Sequence, residues 1–424
     1  MKKTFLTSVI TLLTSLLFSQ NYCGSARYDT PVFPSVTITS NVIYGTSIDV
    51  ASKTDTLKMD IYQPTGDTAS IRPVIVMAHG GSFVGGDKSD MAYLCTEFAK
   101  RGYVTATINY RLGLGFPVDS IRTTQAVWRA TADMKAAVRY FSKDAATTNT
   151  YKIDPNMIII GGASAGGIMA VHYAYLDQVS EIPACIDTNL LGGMEGNSGN
   201  PGYSSAIKAV VNICGAIADT SWMHAGDEPM VSMQGNNDNT VPYCTNVVYL
   251  LNFKIMIIHG LGTMVIKANE IGLDNPVHTF YGQGHSSPAD TFLVSGGSNI
   301  DTTMALASQF LYKQLGCTSS ITTDYTNTPL CLTTIGINEV VLNSENVSLF
   351  PNPAIENIAL ILKEVKGNKF NGEIFDITGR KINEFNFTDK NYLIKRNRIQ
   401  PGIYFLKLKS DVGEVFTTKI IFSE

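Results

Sequence analysis

The sequence predicts an α/β fold: a mostly parallel sheet with helices on both faces, followed by a small all-β sandwich. Three observations predict it. Apolar runs of strand length alternate with helical runs as far as about residue 316. From about residue 345 onward, strand-like runs follow one another with only turns between them. Charge density changes near the same place: residues 345–424 hold 22 Asp, Glu, Lys and Arg, whereas the other 344 hold 46.

The chain has 424 residues, enough for one large domain and a small one. It is 44% hydrophobic and 16% charged, so a sizeable core is expected and global disorder is not. A net charge of −4, with no long run of one sign, gives no electrostatic reason to expect nucleic-acid or anionic-membrane binding. Lys2 and Lys3 precede an apolar stretch from Phe5 to Phe18, then Ser19 and Gln20. That is the pattern of a cleaved secretory signal over residues 1–20. No later apolar run is long enough for a bilayer, so a mature protein without a transmembrane span is expected.

After the signal, "SVTITSNVIYGTSI" and "DTLKMDIYQP" alternate apolar and polar residues and predict two strands in a hairpin-like start. "RPVIVMAHGG" predicts a short buried strand that ends in glycines. A helix is expected from about Met91 to Arg101, then the strand "YVTATINYR". A long helix is expected from about Ile121 to Asp144, then the strand "NMIIIGG". "SAIKAVVNICGAI" and "PMVSMQG" predict later strands. A strand before "YGQGH" and a helix around "TMALASQFLYKQL" close the region. Residues 186–206 form a loop-rich insertion, a candidate lid or pocket wall by position. A Thr-, Ser- and Asn-rich linker spans about 317–344. Residues 345–424 then carry "VSLFPNP", "IALILK", "GEIFDITGR", "YLIKR", "GIYFLKLKS" and "FTTKIIF" as short strands.

In mostly parallel sheets, active groups collect beyond the carboxyl ends of the strands. Four such ends carry suggestive residues. Gly162-Ala163-Ser164-Ala165-Gly166 matches G-x-S-x-G between a strand and a helix. In that context the serine is a nucleophile on a strained turn, and its flanks are small so that strand and helix can pack. A serine needs a base. Of six histidines, His285 in "YGQGHSSP" lies in a glycine-rich loop just after a strand. His278 sits inside a strand-like run and His172 two turns into a helix, where packing roles are expected; His224 and His259 read as surface or loop residues. The base needs an acid to orient it. Asp238 in "VSMQGNNDNTVP" lies just past a strand, whereas Asp227 and Glu228 precede that strand. The order Ser164, Asp238, His285 is that of α/β-hydrolases. The loop His79-Gly80-Gly81-Ser82 follows the first buried strand. The backbone amides of Gly81, Ser82 and Ala165 are the expected oxyanion donors.

Residues from about 25 to 316 resemble an α/β-hydrolase of the carboxylesterase kind. "INYRLG" (Ile108–Gly113), "DPNMIIIGGASAGG" and "MDIYQP" add to that resemblance. The last also resembles bacterial esterases that act on acetylated or feruloylated polysaccharides and their hormone-sensitive-lipase-like cousins. The resemblance implies ester hydrolysis through an acyl-enzyme, with no metal and no cofactor. It implies a triad of Ser164, Asp238 and His285, on short-chain or polysaccharide-linked esters. Secreted peptidases and polyester depolymerases share the fold. A binding protein on a decayed hydrolase is the non-enzymatic alternative, but such proteins usually lose a triad member.

"LFPNPA" (Leu349–Ala354), "FDITGR" (Phe375–Arg380), "IQPGIYFLKLKS" and the terminal "KIIF" resemble the C-terminal sorting domain of the type IX secretion system. That implies the secretion machinery as a partner and export across the outer membrane. A carbohydrate-binding sandwich is disfavoured, because the segment has no Trp and only Tyr392 and Tyr404 as tyrosines. Seven cysteines suit an oxidising compartment. They show no metal-binding spacing; Cys317 and Cys331 are near enough in sequence to close a loop, and Cys214 reads as a buried small hydrophobe.

Overall fold

A computed structural model describes residues 22–23, 26–250, 253–286, 288, 298–320, 331, 346–363, 365–377, 379–412 and 415–424. The expected signal peptide, residues 1–20, and most of the expected linker lie outside the described residues. The chain divides into two compact units, Met1–Cys331 and Leu332–Glu424.

The first unit is built on one eight-stranded sheet. Its strands are β1 (Val36–Ile48), β2 (Thr54–Pro64), β3 (Arg72–Ala78), β4 (Val104–Ile108), β5 (Ile153–Ala163), β6 (Ala209–Ile213), β7 (Met230–Gly235) and β10 (Val277–Phe280), in the order β1-β2-β4-β3-β5-β6-β7-β10. The hairpin β1–β2 pairs antiparallel, as does β2 with β4; the six strands from β4 to β10 run parallel. The sequence's hairpin start and parallel continuation are therefore both present.

Side-chain alternation along the central strands divides the core in two. Val74, Val76 and Ala78 of β3 pack with α2 (Ser120–Ala146) and α3 (Ala165–Tyr175). Ile75 and Met77, pointing the other way, pack with α1 (Ala92–Lys100) and with α6 (Ser298–Gln314). Both faces are covered, so every residue of β3 and β4 is buried and apolar residues dominate. Asp119 caps α2 by accepting from the Arg122 amide at 2.7 Å. A four-residue turn of helix, α4 (Thr188–Leu191), lies in the insertion after α3, and α5 (Leu261–Ile271) precedes β10.

Besides α5, two features of this unit were not anticipated. The run from Thr245 to His259 forms a separate antiparallel hairpin, β8 (Thr245–Leu250) with β9 (Phe253–His259). Cys317 and Cys331 do not close a loop with each other. Cys23 pairs with Cys317, and Cys244 pairs with Cys331. Cys95, Cys185 and Cys214 are free.

The second unit holds a three-stranded sheet, β11 (Val347–Phe350), β12 (Asn357–Leu362) and β15 (Asn391–Lys395). A four-stranded sheet adds β13 (Phe370–Phe375), β14 (Lys381–Phe387), β16 (Gly402–Ser410) and β17 (Val415–Phe422), in the order β14-β13-β16-β17. All pairings are antiparallel. One core joins them, from Ile358 and Leu360 on one sheet to Ile374, Leu406 and Ile420 on the other. The strand β14 is additional to the six the sequence suggested; its mixed polar pattern "KINEFNF" hid it.

Candidate active site

Five parallel strands, β3, β5, β6, β7 and β10, end at one edge of the sheet, and every anticipated site residue lies just beyond one of them. Ser164 follows β5 directly. Its backbone has φ 57° and ψ −118°, in the left-handed half of the map that side chains other than glycine's rarely enter. Its amide is held by the Ile213 carbonyl at the end of β6, at 2.8 Å. The crowding explains the small flanks: a Cβ on Gly166 would lie 2.1 Å from the Ala78 carbonyl oxygen of β3. Helix and strand meet backbone to backbone there, and the serine is turned outward.

His285 Nε2 lies 2.8 Å from Ser164 Oγ, and His285 Nδ1 lies 2.6 Å from Asp238 Oδ2. A carboxylate only accepts, so Nδ1 carries the proton and Nε2 turns its lone pair to the serine hydroxyl. Asp238 is buried, 7% exposed, with each oxygen accounted for. Its Oδ1 accepts from the amides of Thr240 at 2.9 Å and Val241 at 2.8 Å. Its Oδ2 accepts from His285 and from the Gln234 side-chain amide at 3.0 Å. Gln234 is itself fully buried and fixed, donating to the Val241 carbonyl at 2.7 Å and accepting from the Leu261 amide at 3.1 Å.

The glycine loop after β3 reaches the same place. A Cβ on Gly80 would stand 3.2 Å from the Ser164 Cβ. Gly81, Ser82 and Phe83 take φ of 106°, 56° and 61° in succession, a tightly wound loop. Tyr110, in the "INYRLG" stretch, donates to the His79 carbonyl at 2.9 Å and stacks on the His79 ring at 4.4 Å. The Gly113 amide donates to the Phe83 carbonyl at 2.7 Å, so this stretch braces the loop from behind. Ser82 and Ala165 line one small cavity with Ser164; Gly81 precedes Ser82 and is not among the lining residues.

The remaining histidines lie as the sequence suggested for His278, His172 and His224, and His259 differs by lying in a strand. His278 is in β10. His172 is buried in α3, where its Nδ1 meets the Ile168 carbonyl at 2.8 Å; burial pushes its pKa down to about 4. His224 lies in a loop and His259 at the end of β9.

Sequence reasoning missed three contributors. The β8–β9 hairpin supplies Val248, Tyr249, Ile255, Met256 and Ile258 to the cavity at Ser164. The insertion 186–206, a candidate lid or acyl-pocket wall by position, is clamped to α2, and its Met194 lines a neighbouring cavity. Ser198 Oγ donates to Asp133 Oδ1 at 2.6 Å, and Arg139 donates to the Gly199 carbonyl at 3.0 Å. None of its residues lines the cavity at Ser164. The second contributor is Gln234. The third is Cys214, buried as expected, but with its thiol donating to the His285 carbonyl at 3.0 Å. Burial, and then the Asp238 carboxylate, hold the Cys214 pKa well above the ordinary thiol value.

Two groups among the described residues bring three possible metal-ligating atoms together: Cys214 with Asp238 and His285, and Asp177 with Glu181 and His224. In the first, the thiol is held protonated and the His–Asp pair is already engaged, which opposes a metal. In the second, Glu181 Oε2 accepts from the amides of Asp177 and Gln178, closing a local turn.

The fold and the converging Ser, His and Asp define an α/β-hydrolase domain. Residues 59–224 match the BD-FAE family model, and residues 348–423 match the secretion system C-terminal sorting domain model. The chain thus joins an α/β-hydrolase domain of the esterase kind to a type IX sorting domain, which addresses it to the cell surface or beyond. Among the described residues, no helix is long and apolar enough to cross a membrane.

Gut esterase 1 of Caenorhabditis elegans is 32% identical over 115 residues, 26% of this chain and 19% of that one. Phenmedipham hydrolase of Pseudarthrobacter oxydans is 35% identical over 126 residues, 29% of this chain and 24% of that one. The matched stretches therefore span a quarter or less of these relatives. Butyrate-bound esterase 2 of Thermogutta terrifontis superposes with a TM-score of 0.48 at 22% identity, over 68% of this chain and 97% of that one.

Proposed function

We propose that the chain is an exported serine hydrolase of carboxylic esters. The observation that carries this is the unbroken line from Asp238 Oδ2 through the His285 ring to Ser164 Oγ, at 2.6 and 2.8 Å. In the proposed reaction, Ser164 Oγ bonds to the ester carbonyl carbon while its proton passes to His285 Nε2. The buried Asp238 carboxylate stabilises the imidazolium and fixes the ring. The backbone amides of Gly81, Ser82 and Ala165 receive the oxyanion, with Ala165 at the first turn of α3. His285 then protonates the departing alcohol as the ester C–O bond breaks. Water, giving its proton to His285, attacks the acyl-enzyme. The acid leaves as Ser164 Oγ takes that proton back.

Short-chain and polysaccharide-linked esters are the proposed substrates, and the type IX machinery is the proposed partner of residues 345–424. The test is hydrolysis of p-nitrophenyl acetate together with labelling by a fluorophosphonate probe. The wild-type chain should turn over and label. Ser164→Ala should do neither while keeping its unfolding temperature; undiminished turnover by that variant would reject the assignment.

A further inference from the structure

The cavity at Ser164 is small, about 80 Å³. A second cavity of about 250 Å³ lies beside it. Val127, His172, Ala218 and Met256 line both, so these four residues stand at the boundary. The second cavity is also lined by Trp128 and Trp222. Val127 and Trp128 belong to α2 and His172 to α3, and Met194 comes from the 186–206 insertion.

Of the polar groups in its wall, three are engaged or neutral, while the Thr131 hydroxyl is buried without a partner among the described residues. Lys135 donates to the Met194 carbonyl at 2.7 Å, and Asp219 accepts from the Ser221 amide at 2.8 Å. His172 is held neutral by burial, and Trp222 meets its ring edge-on at 5.6 Å. The larger part of the remaining surface facing the space is apolar and aromatic, with the Thr124 and Thr131 side chains as the polar exceptions.

Size then selects the shape of the occupant. A closed apolar cavity of about 150 Å³ accommodates benzene. The second chamber exceeds that, but the space beside Ser164 is about half of it. A flexible chain can fill the narrow part and continue, whereas a ring set close to the carbonyl cannot. We propose that the second chamber is a subsite for an unbranched apolar arm of the ester, reached from Ser164 between Val127, His172, Ala218 and Met256. The inference rests on the ester-hydrolase reading and narrows its substrates: within the esters proposed above, those with one apolar arm of medium length are turned over faster than those with only acetyl or aroyl groups.

The experiment measures kcat/KM on the full chain for p-nitrophenyl acetate, butyrate, octanoate and benzoate, and for octyl against methyl esters of acetic acid. The two series distinguish an acyl from an alcohol arm. In one of the series, the eight-carbon member should exceed the shortest member by at least about tenfold. Benzoate should fall below octanoate. Ala218→Leu, which narrows the passage, should lower the long-to-short ratio by at least about tenfold, mostly through KM. Octanoic acid should compete with acetate ester for the wild-type enzyme, a readout that needs no variant. Hydrolysis of the shortest esters with no gain along either series, and no competition by octanoic acid or octanol, overturns the subsite alone. Failure to hydrolyse any ester overturns the ester-hydrolase reading and the subsite with it.

Discussion

In the proposed triad, the partners of Asp238 call for a carboxylate, and not merely a polar residue, opposite His285. Both of its oxygens accept, Oδ1 from two backbone amides and Oδ2 from His285 and Gln234. An asparagine has one accepting oxygen and one donating nitrogen. Whichever way it turned, its NH2 would face donors on one side. If the oxygen stayed with the Thr240 and Val241 amides, the NH2 would meet His285 Nδ1 and force the proton to Nε2. Nε2 would then have no lone pair for Ser164. Asp238→Asn should therefore reduce kcat by about 10³–10⁴-fold with the chain still folded, read as initial rates on acetate esters at neutral pH. Asp238 was legible in the sequence because its position after an apolar strand is a local feature. Gln234 was not, because a glutamine within a strand reads the same whether it faces solvent or a buried acid. The same limit hid the role of Cys214. Its burial followed from "AVVNIC", but the contact with His285 joins residues 71 apart.

At the scale of elements, α3 serves both the site and the stability of the fold. Its first turn supports the serine, and two turns later it buries His172. The burial lowers the His172 pKa from 6.5 to about 4, so the folded chain keeps this ring neutral where the unfolded chain would protonate it. Between those values the unfolded state binds more protons, and stability rises with pH. The contribution is complete above about pH 6.5 and is lost progressively as the pH falls towards 4; it amounts to about 3 kcal/mol. His172→Gln should flatten the dependence of the unfolding midpoint on pH across that window, measured by urea titration from pH 7.5 to 4. An unchanged slope would mean that other groups set it.

The helices α1, α2, α3 and α6 and the central strands were legible because their periodicity is local, and β3 to β7 are apolar enough to declare burial. Neither α5 nor the β8–β9 hairpin was anticipated. Residues 245–259, "TNVVYLLNFKIMIIH", carry no glycine or proline. Without a turn signal, two short strands read as one apolar run. The cost fell on the site, since this hairpin lines the cavity at the serine, while the 186–206 insertion is held on α2 by Ser198 and Arg139 and reaches the second cavity through Met194.

For the whole molecule, the disulfides decide where the hydrolase part ends. Composition suggests a boundary near residue 316, where helical periodicity stops. The boundary between the two compact units, after Cys331, falls within the linker expected over 317–344, and both disulfides lie in the first unit. Cys23–Cys317 spans 294 residues and Cys244–Cys331 spans 87, separations at which no sequence pattern specifies a partner. The physical consequence is a difference between two truncations. A chain stopped after Cys331 keeps both cross-links and lacks the sorting domain. A chain stopped after Gly316 lacks both partner cysteines and leaves Cys23 and Cys244 unpaired.

Loss of a native disulfide typically removes about 2–5 kcal/mol. The longer truncate should therefore match the full chain in unfolding temperature of its hydrolase part and in ester turnover when refolded under oxidising conditions. The shorter one should unfold at lower temperature, and dithiothreitol should bring the longer one towards it. Neither truncate should reach the culture medium when expressed in a host with type IX secretion, because both lack residues 348–423, which match the sorting domain. Fractionation of cells and medium, followed by thermal unfolding of the purified chains, separates the two effects. If the shorter truncate proved as stable as the longer, the two cross-links would be dispensable to the fold. If either were exported, residues 348–423 would not be the address.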